Sequence, residues 1–365
     1  MAKKAVQRYR FEPDYAVPPG ETLLETIEAL NMSQAELALR TRLARKTVNL
    51  IIKGKEPITF GTAIKLERAT GVPARMWNNL EMNYREQLAK IRDRERLQAD
   101  LDWLKEIPVR ELIKRGVIPA NADKSEQLRG ALKFFAVESV QAWRELWRTK
   151  KIAARKSLKF AGQPGPTATW IRLGEVESQQ LTCAPYNKTK FKKVIRTVRK
   201  MTADPPTDFG KKIKVLCAEC GVAVVFVRRI KNAPWSGASW WDSPTKAVIE
   251  LNLRYRTDDQ FWFSFFHEAG HILLAHSKKE LFINAGRDSD PREQEANEFA
   301  ASFLIPPEFA GELVRLGGSE ANIKGFAENV GISPGIVVGR MQKEGLIAWQ
   351  SRLNHLKGRM LWDDE

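Results

Sequence analysis

Residues Phe261–Leu274 read FWFSFFHEAGHILL and contain His267-Glu268-Ala269-Gly270-His271, an H-E-x-x-H segment. Side chains four apart on an α-helix share one face, one turn above each other. The imidazoles of His267 and His271 can therefore hold one Zn2+ from the same side, at roughly 2.0–2.1 Å. Glu268 is then placed to take a proton from the water that such a metal activates. The apolar and aromatic flanks predict a buried helix, as a dry metal site needs. The bland alternative is a core helix that happens to carry histidines. Against it, the chain has four histidines, and His267, His271 and His276 fall within ten positions.

Hydrolytic zinc sites use a third protein ligand. The longer pattern H-E-x-x-H-x-x-G-x-x-H needs Gly at 274 and His at 277, where the chain has Leu274 and Ser277. His276 lies five residues past His271, about 140° around the helix. It is expected to pack or to orient a ligand, not to bind metal. Downstream, PREQEANEFAASFLIPP (291–307) supplies Glu293, Glu295 and Glu298. Helical spacing sets Glu293 and Asn297 on one face, with Phe299 and Phe303 as an apolar stripe. Glu293 is the expected third ligand, and Asn297 the amide that hydrogen-bonds a ligand histidine from behind. Spacing alone does not decide between Glu293 and Glu295.

HEAGH, followed by Glu293-Gln294-Glu295-Ala296-Asn297-Glu298-Phe299-Ala300 and Leu304-Ile305-Pro306-Pro307, resembles the ImmA/IrrE family of zinc metallopeptidases. The resemblance covers roughly 171–365 and is strongest over 235–307. It implies a zincin-like domain, Zn2+ on His267, His271 and Glu293 (the glutamate of E-x-x-A-N), and the cutting of DNA-binding repressors.

The N-terminal stretch has a different rhythm. Pro18-Pro19-Gly20-Glu21 opens a helix to Leu30; Pro and Gly punctuate and Glu21 favours a first turn. Ser33 and Glu36 read as a capping box for a helix over Gln34–Arg40. A tight turn at 41–43 leads to a second helix, Arg45–Ile52, ended by Gly54. With Leu37, Ala38, Leu43, Val48 and Ile51 inward, the pair reads as a helix-turn-helix. Arg45, Lys46, Thr47 and Asn49 then face outward and, with Gln34, are the candidate contacts to phosphates and base edges. Ser33-Gln-Ala-Glu-Leu-Ala, Lys46-Thr-Val-Asn, Ile51-Ile-Lys-Gly-Lys55 and Trp77-Asn-Asn-Leu-Glu resemble the HigA-like antitoxins, of the λ-repressor-like group. That resemblance implies operator binding as a dimer. One residue departs from it: the turn position that is usually Gly is Arg42, which costs on the order of 1–2 kcal/mol if the backbone there is left-handed.

Charge divides the chain in the same way. Residues 1–200 carry 40 Lys/Arg against 22 Asp/Glu, and residues 201–365 carry 20 against 22. A one-sided basic excess is the electrostatic footprint of a nucleic-acid partner. Within it, residues 151–200 hold 12 basic and 2 acidic residues, either a solvated face or a second DNA-backbone contact. MAKKAVQRYRFEPDY has no apolar h-region, and no apolar run approaches the roughly 20 residues of a membrane span. Cys183, Cys217 and Cys220 make no disulfide framework, and Cys217-Ala-Glu-Cys220 reads as buried thiols. A soluble, cytoplasmic protein is expected.

Between these ends, 80–112 reads as a helical arm with a break at Pro108, and 128–159 as an amphipathic stretch. Its Phe134, Phe135, Trp143 and Trp147 belong to a helix–helix contact. Gly162-Gln-Pro-Gly-Pro-Thr167 reads as a linker. Further on, helices are expected over 181–201 and 209–219, and strands over 222–229, 235–241 and 247–252. Such a sheet could offer an edge to an extended peptide. Tyr255 is a weak candidate oxyanion donor, better read as packing. Residues 326–340 repeat the helix-turn-helix rhythm, but Ile336, Val337 and Val338 mark that pair as packing.

The reading is a mainly α chain with a small β-sheet (α+β). A helix-turn-helix DNA-binding domain covers 1–95, a helical connector 96–165 and a zincin-like metallopeptidase domain 166–365. The expected function is that of a DNA-binding transcriptional regulator with zinc-dependent endopeptidase activity on a repressor or antitoxin-type protein, or on itself. The alternative is a non-enzymatic antitoxin-type autorepressor whose zincin-like half senses a signal or binds a toxin. Expected partners are double-stranded operator DNA, a protein substrate or toxin, and a second copy of the chain; no membrane is expected.

Overall fold

The computed structural model describes residues 15–154 (side chains to 147), 164–252, 256–276, 278, 280–283 and 290–360. The chain forms two compact units, Met1–Leu101 and Asp102–Glu365.

Among its described residues the first unit is helical, without a strand: α1 (Pro19–Ala29), α2 (Gln34–Thr41), α3 (Arg45–Ile52), α4 (Phe60–Thr70) and α5 (Ala74–Ala99). Leu23, Ile27, Leu37, Ala38, Val48, Ile51, Leu66 and Trp77 form its core. Half of the expected capping box is present. Ser33 Oγ accepts from the Glu36 amide at 3.1 Å, but the Glu36 carboxylate turns to Arg40 at 2.6 Å. Arg42 caps α2 in the left-handed region, at φ 54° and ψ 32°, so the tight turn keeps its shape despite the missing glycine. The arm expected over 80–112 is shorter and earlier. α5 ends at Ala99, and a 3-10 turn over Leu101–Lys105 follows.

The second unit begins with α6 (Val109–Lys114), α7 (Lys124–Phe135), α8 (Val140–Ala154) and α9 (Pro164–Gln179). The stretch read as one amphipathic helix is thus two. Ala136 takes a left-handed φ of 53° at the end of α7, and Ser139 Oγ accepts from the Ala142 amide at 3.1 Å, starting α8. Trp103, Phe135 and Trp143 meet edge-on at centroid separations of 5.1–6.0 Å. The expected linker is also corrected. Gly162 and Gln163 lie outside the described residues, but Pro164 and Pro166 sit in the first turn of α9, and Gly165 to Ile171 are buried. Proline is tolerated there because those N–H groups have no intrahelical partner in any case.

Next come α10 (Lys188–Lys200), α11 (Phe209–Ala218), β1 (Val222–Phe226), β2 (Gly237–Ser243), β3 (Lys246–Leu251), α12 (Asp258–Leu273), β4 (Phe282–Ile283), α13 (Pro291–Leu304), α14 (Ala310–Arg315), α15 (Glu320–Val330) and α16 (Pro334–Lys343). α10 starts later than expected because the Asn187 side chain caps it, accepting from Lys190 N at 2.9 Å. The sheet is mixed, in the order β1-β3-β2-β4, with β1 parallel to β3 and the other pairs antiparallel. Alternation puts Ala247, Ile249 and Leu251 of β3 in the core with α12. Their cross-strand partners Ser239 (opposite Ile249) and Gly237 (opposite Leu251) share that face. Val248 and Glu250 point to the other side, where Gly174 of α9 lies so close that a Cβ would sit 2.2 Å from Glu250 Oε2. α12 is buried nearly all round, with only Gln260 and Phe263 half-buried. It is packed against the sheet, α13 and α16, whose Ile336, Val337 and Val338 are buried.

Candidate functional site

His267, Glu268 and His271 lie on consecutive turns of buried α12, and α13 crosses it closely. Gly270 permits the approach, since a Cβ there would be 3.0 Å from Phe299 Cδ1 and 3.4 Å from Ala296 Cα. The start of α13 is anchored by Asp290, which accepts from the Arg292 amide, and by Arg292, which pairs with Asp290 and Glu280 at 2.8 Å each. This delivers Glu293 between the histidines. Its Oε2 is 3.1 Å from His267 Nε2 and its Oε1 3.4 Å from His271 Nε2. The donor atoms of His267, His271 and Glu293 all lie within 4.8 Å of one another.

The far sides of both rings fix which nitrogen points inward. His267 Nδ1 is 2.9 Å from Asn297 Oδ1, so it is the protonated nitrogen and leaves an Nε2 lone pair facing Glu293. His271 Nδ1 is 2.9 Å from His276 Nδ1, and His276 Nε2 is 3.0 Å from Glu295 Oε2. Glu295 can only accept from His276 Nε2, so His276 Nδ1 accepts from His271 Nδ1, and His271 Nε2 also carries a lone pair. The two Nε2 atoms face each other at 3.1 Å, a repulsive contact between lone pairs unless a cation lies among them. Glu293 Oε1 has no hydrogen-bond partner among the described residues although it is buried. The residues fit a divalent metal of the zinc type: two neutral imidazoles, one carboxylate, and partners behind the rings that set the tautomers.

The carboxylate of Glu268 points at β2. Its Oε2 accepts from Ser239 Oγ at 2.7 Å, while its buried Oε1 has no hydrogen-bond partner among the described residues. Gly237 leaves it room, because a Cβ there would stand 2.7 Å from Oε1. Burial pushes its pKa up to about 8, against the pull of His267 and the Ser239 hydrogen bond. Burial likewise takes His271 down to about 4. Burial acts upward on Glu293 too, but the closeness of His267 and His271 prevails and holds it at about 2. His271 stacks on Phe282 of β4 at 4.3 Å and 16°.

The structure therefore brings together His267, Glu268, His271, Glu293 and Asn297, and turns Glu295 away onto His276. Ser239 and Gly237 were not found from sequence. No motif marks them, and the only hint is that Ser239 is a small polar residue between Ala238 and the Trp240-Trp241 pair. Tyr255 lies outside the described residues. In the first unit, Arg45, Lys46 and Asn49 are exposed on α3, and Thr47 and Gln34 are half-buried. Neither Arg45 nor Lys46 has an ion pair among the described residues.

Two family models match the chain. "Helix-turn-helix" covers residues 23–77, and "IrrE N-terminal-like domain", a peptidase family, covers 218–342. An uncharacterized HTH-type transcriptional regulator of Escherichia coli (strain K12), YddM, is 35% identical over 63 residues, which are 17% of this chain and 67% of that protein. The chain belongs to the HTH-type transcriptional regulators. This regulator's α2 and α3 lie inside the helix-turn-helix match, and its α12, α13 and whole sheet lie inside the IrrE-like match. A solved structure of an addiction module antidote protein of a HigA family, from Coxiella burnetii, is 28% identical. It covers 23% of this chain and 92% of its own, with a TM-score of 0.22. No helix among the described residues is long and apolar enough to cross a membrane.

Proposed function

We propose that this HTH-type regulator is a zinc-dependent endopeptidase acting on a protein of repressor or antitoxin type, or on itself. The observation that carries the reading is a buried carboxylate, Glu268, set directly beside a two-histidine, one-glutamate cluster. A site that only held the fold together would need no such acid–base group. In this reading His267, His271 and Glu293 hold Zn2+, which when bound polarises the scissile carbonyl and acidifies water. The charge of the bound ion would also draw Glu268 to its ionised form, in which it would take a proton from water and pass it to the leaving amine. Ser239 keeps the Glu268 carboxylate in place, Asn297 and His276 orient the two rings, and the aromatic walls exclude bulk water. At the other end of the chain, Gln34, Arg45, Lys46, Thr47 and Asn49 contact an operator as part of a homodimer in the cytoplasm, with residues 1–95, 96–165 and 166–365 as DNA-binding, connecting and peptidase regions.

Glu268→Gln is expected to keep one zinc per chain and to abolish cleavage. Whole-cell protein levels compared between wild type and this variant identify the target as the protein that disappears only with the wild type. A Gln variant that still removes the target rules out Glu268 as the base.

One observation favours a second reading, in which the metal centre senses a signal or binds a toxin. His267, Glu268, His271 and Glu293 are each no more than 3% exposed, so a substrate chain reaches them only after a rearrangement. No protein disappearing under any stress tested, with zinc retained and operator binding intact, would transfer the weight to that reading.

A further inference from the structure

Helix α10 reads KTKFKKVIRTVRK and has no acidic residue. Its apolar side is committed, since Phe191, Ile195 and Val198 are buried in the core of the second unit. Arg199 is also turned inward, donating to the carbonyls of Phe303 at 2.7 Å, Leu304 at 2.9 Å and Val330 at 3.1 Å. The outer side is left with Lys188, Lys190, Lys192, Lys193, Arg196 and Lys200, all exposed. None of these six has an ion pair among the described residues.

Neighbouring helices treat their cations differently. Lys212 pairs with Asp208 at 2.9 Å, Lys214 with Glu177 at 3.1 Å, Lys324 with Glu320 at 2.6 Å and Arg340 with Glu344 at 2.7 Å. On α10 the i,i+4 positions Lys188, Lys192, Arg196 and Lys200 are instead all of one sign, an arrangement that destabilises a helix unless an outside anion compensates it. The row spans about 18 Å at 1.5 Å per residue, which along the axis of a duplex takes in about five phosphates of one strand at a rise of 3.4 Å each.

We infer that α10 lies along the phosphate backbone of double-stranded DNA, as a sequence-independent contact additional to the helix-turn-helix. DNA is the polyanion this chain meets as an HTH-type regulator. A membrane surface fits less well, because interfacial helices insert an apolar face and here that face is inside the core. An acidic protein has no reason to present charge in an extended row, whereas a duplex strand does.

The test is fluorescence anisotropy of the full chain on a labelled duplex of about 30 base pairs and arbitrary sequence, across about 50–300 mM salt. The quadruple variant Lys188→Gln, Lys192→Gln, Arg196→Gln, Lys200→Gln is expected to weaken binding at least tenfold at low salt. It should also flatten the log–log salt slope by about 3 to 4, at about 0.9 for each phosphate that the variant no longer neutralises. The double variant Lys192→Gln, Arg196→Gln, kept in case the quadruple variant folds poorly, should flatten it by about 2. Arg45→Ala with Lys46→Ala, run in parallel, reports the helix-turn-helix alone. Wild-type affinity and slope in both α10 variants overturn the inference, whatever the Arg45/Lys46 result. Loss of binding to polyglutamate with duplex binding intact also overturns it, and assigns the face to an acidic protein.

Discussion

Arg42 sits in a left-handed conformation, at φ 54°, in the turn of the helix-turn-helix. Its side chain is exposed and the strain is local, so Arg42→Gly is expected to stabilise the first unit by about 1 kcal/mol. Urea unfolding of the full chain measures this, and a loss of stability would mean that the arginine makes a contact outweighing the strain. Glu250 is a second isolated case. It is fully buried, and neither oxygen has a hydrogen-bond partner among the described residues. Burial, followed by the nearby Glu177, Glu175 and Glu268 and opposed by Arg115, holds its pKa well above the ordinary 4.5. The folded chain therefore keeps Glu250 protonated at pH values where the unfolded chain has ionised it. Its contribution is fully present below about pH 4.5 and is lost progressively as pH rises towards the folded value. Glu250→Gln should thus raise the melting temperature more at pH 8 than at pH 5, and a gap independent of pH would contradict a buried neutral acid. At this scale His267, Glu268 and His271 were legible, because their relation is set by the local period of a helix. Ser239 was not, because its hydroxyl reaches Glu268 only through the register that places it opposite Ile249.

Among the elements, the pairing of α12 with α13 decides the candidate metal centre. Spacing within 291–307 left Glu293 and Glu295 open; the crossing sets Glu293 between the histidines and Glu295 against His276. Gly270 makes that crossing close. Gly270→Val should push α13 outward, lower the melting temperature and reduce zinc affinity, all seen in one titration followed by calorimetry. Unchanged affinity would mean that Glu293 tolerates displacement and is not a ligand. Asn297→Ala and His276→Ala leave the cluster itself intact and are expected to weaken zinc binding about 10- to 100-fold, through loss of ring orientation. Element ends were less legible than element identities. The proline- and glycine-rich start of α9 looked like a linker, because nothing local says that a segment will be buried, and only burial converts those prolines from loop residues to a first helical turn.

For the whole molecule, metal removal is the broad test. Zinc present at about a thousand times its Kd adds about 4 kcal/mol to the folded state, so chelation should lower the melting transition of the second unit by roughly 10 °C, with that of the first unmoved. No shift would mean that the cluster binds no metal in solution. The net charge of +16 is concentrated in the first 200 residues, so DNA binding should weaken steeply with salt. Periodicity, capping residues and the H-E-x-x-H spacing are local properties, and the sequence by itself determined through them the helix-turn-helix, the buried metal-type helix and the places of β1, β2 and β3 along the chain. Tertiary structure alone decided which glutamate joins the histidines, which serine holds Glu268, and which cations of α10 stay outside. Those outcomes depend on register and on helix crossing, which arise only when distant segments pack.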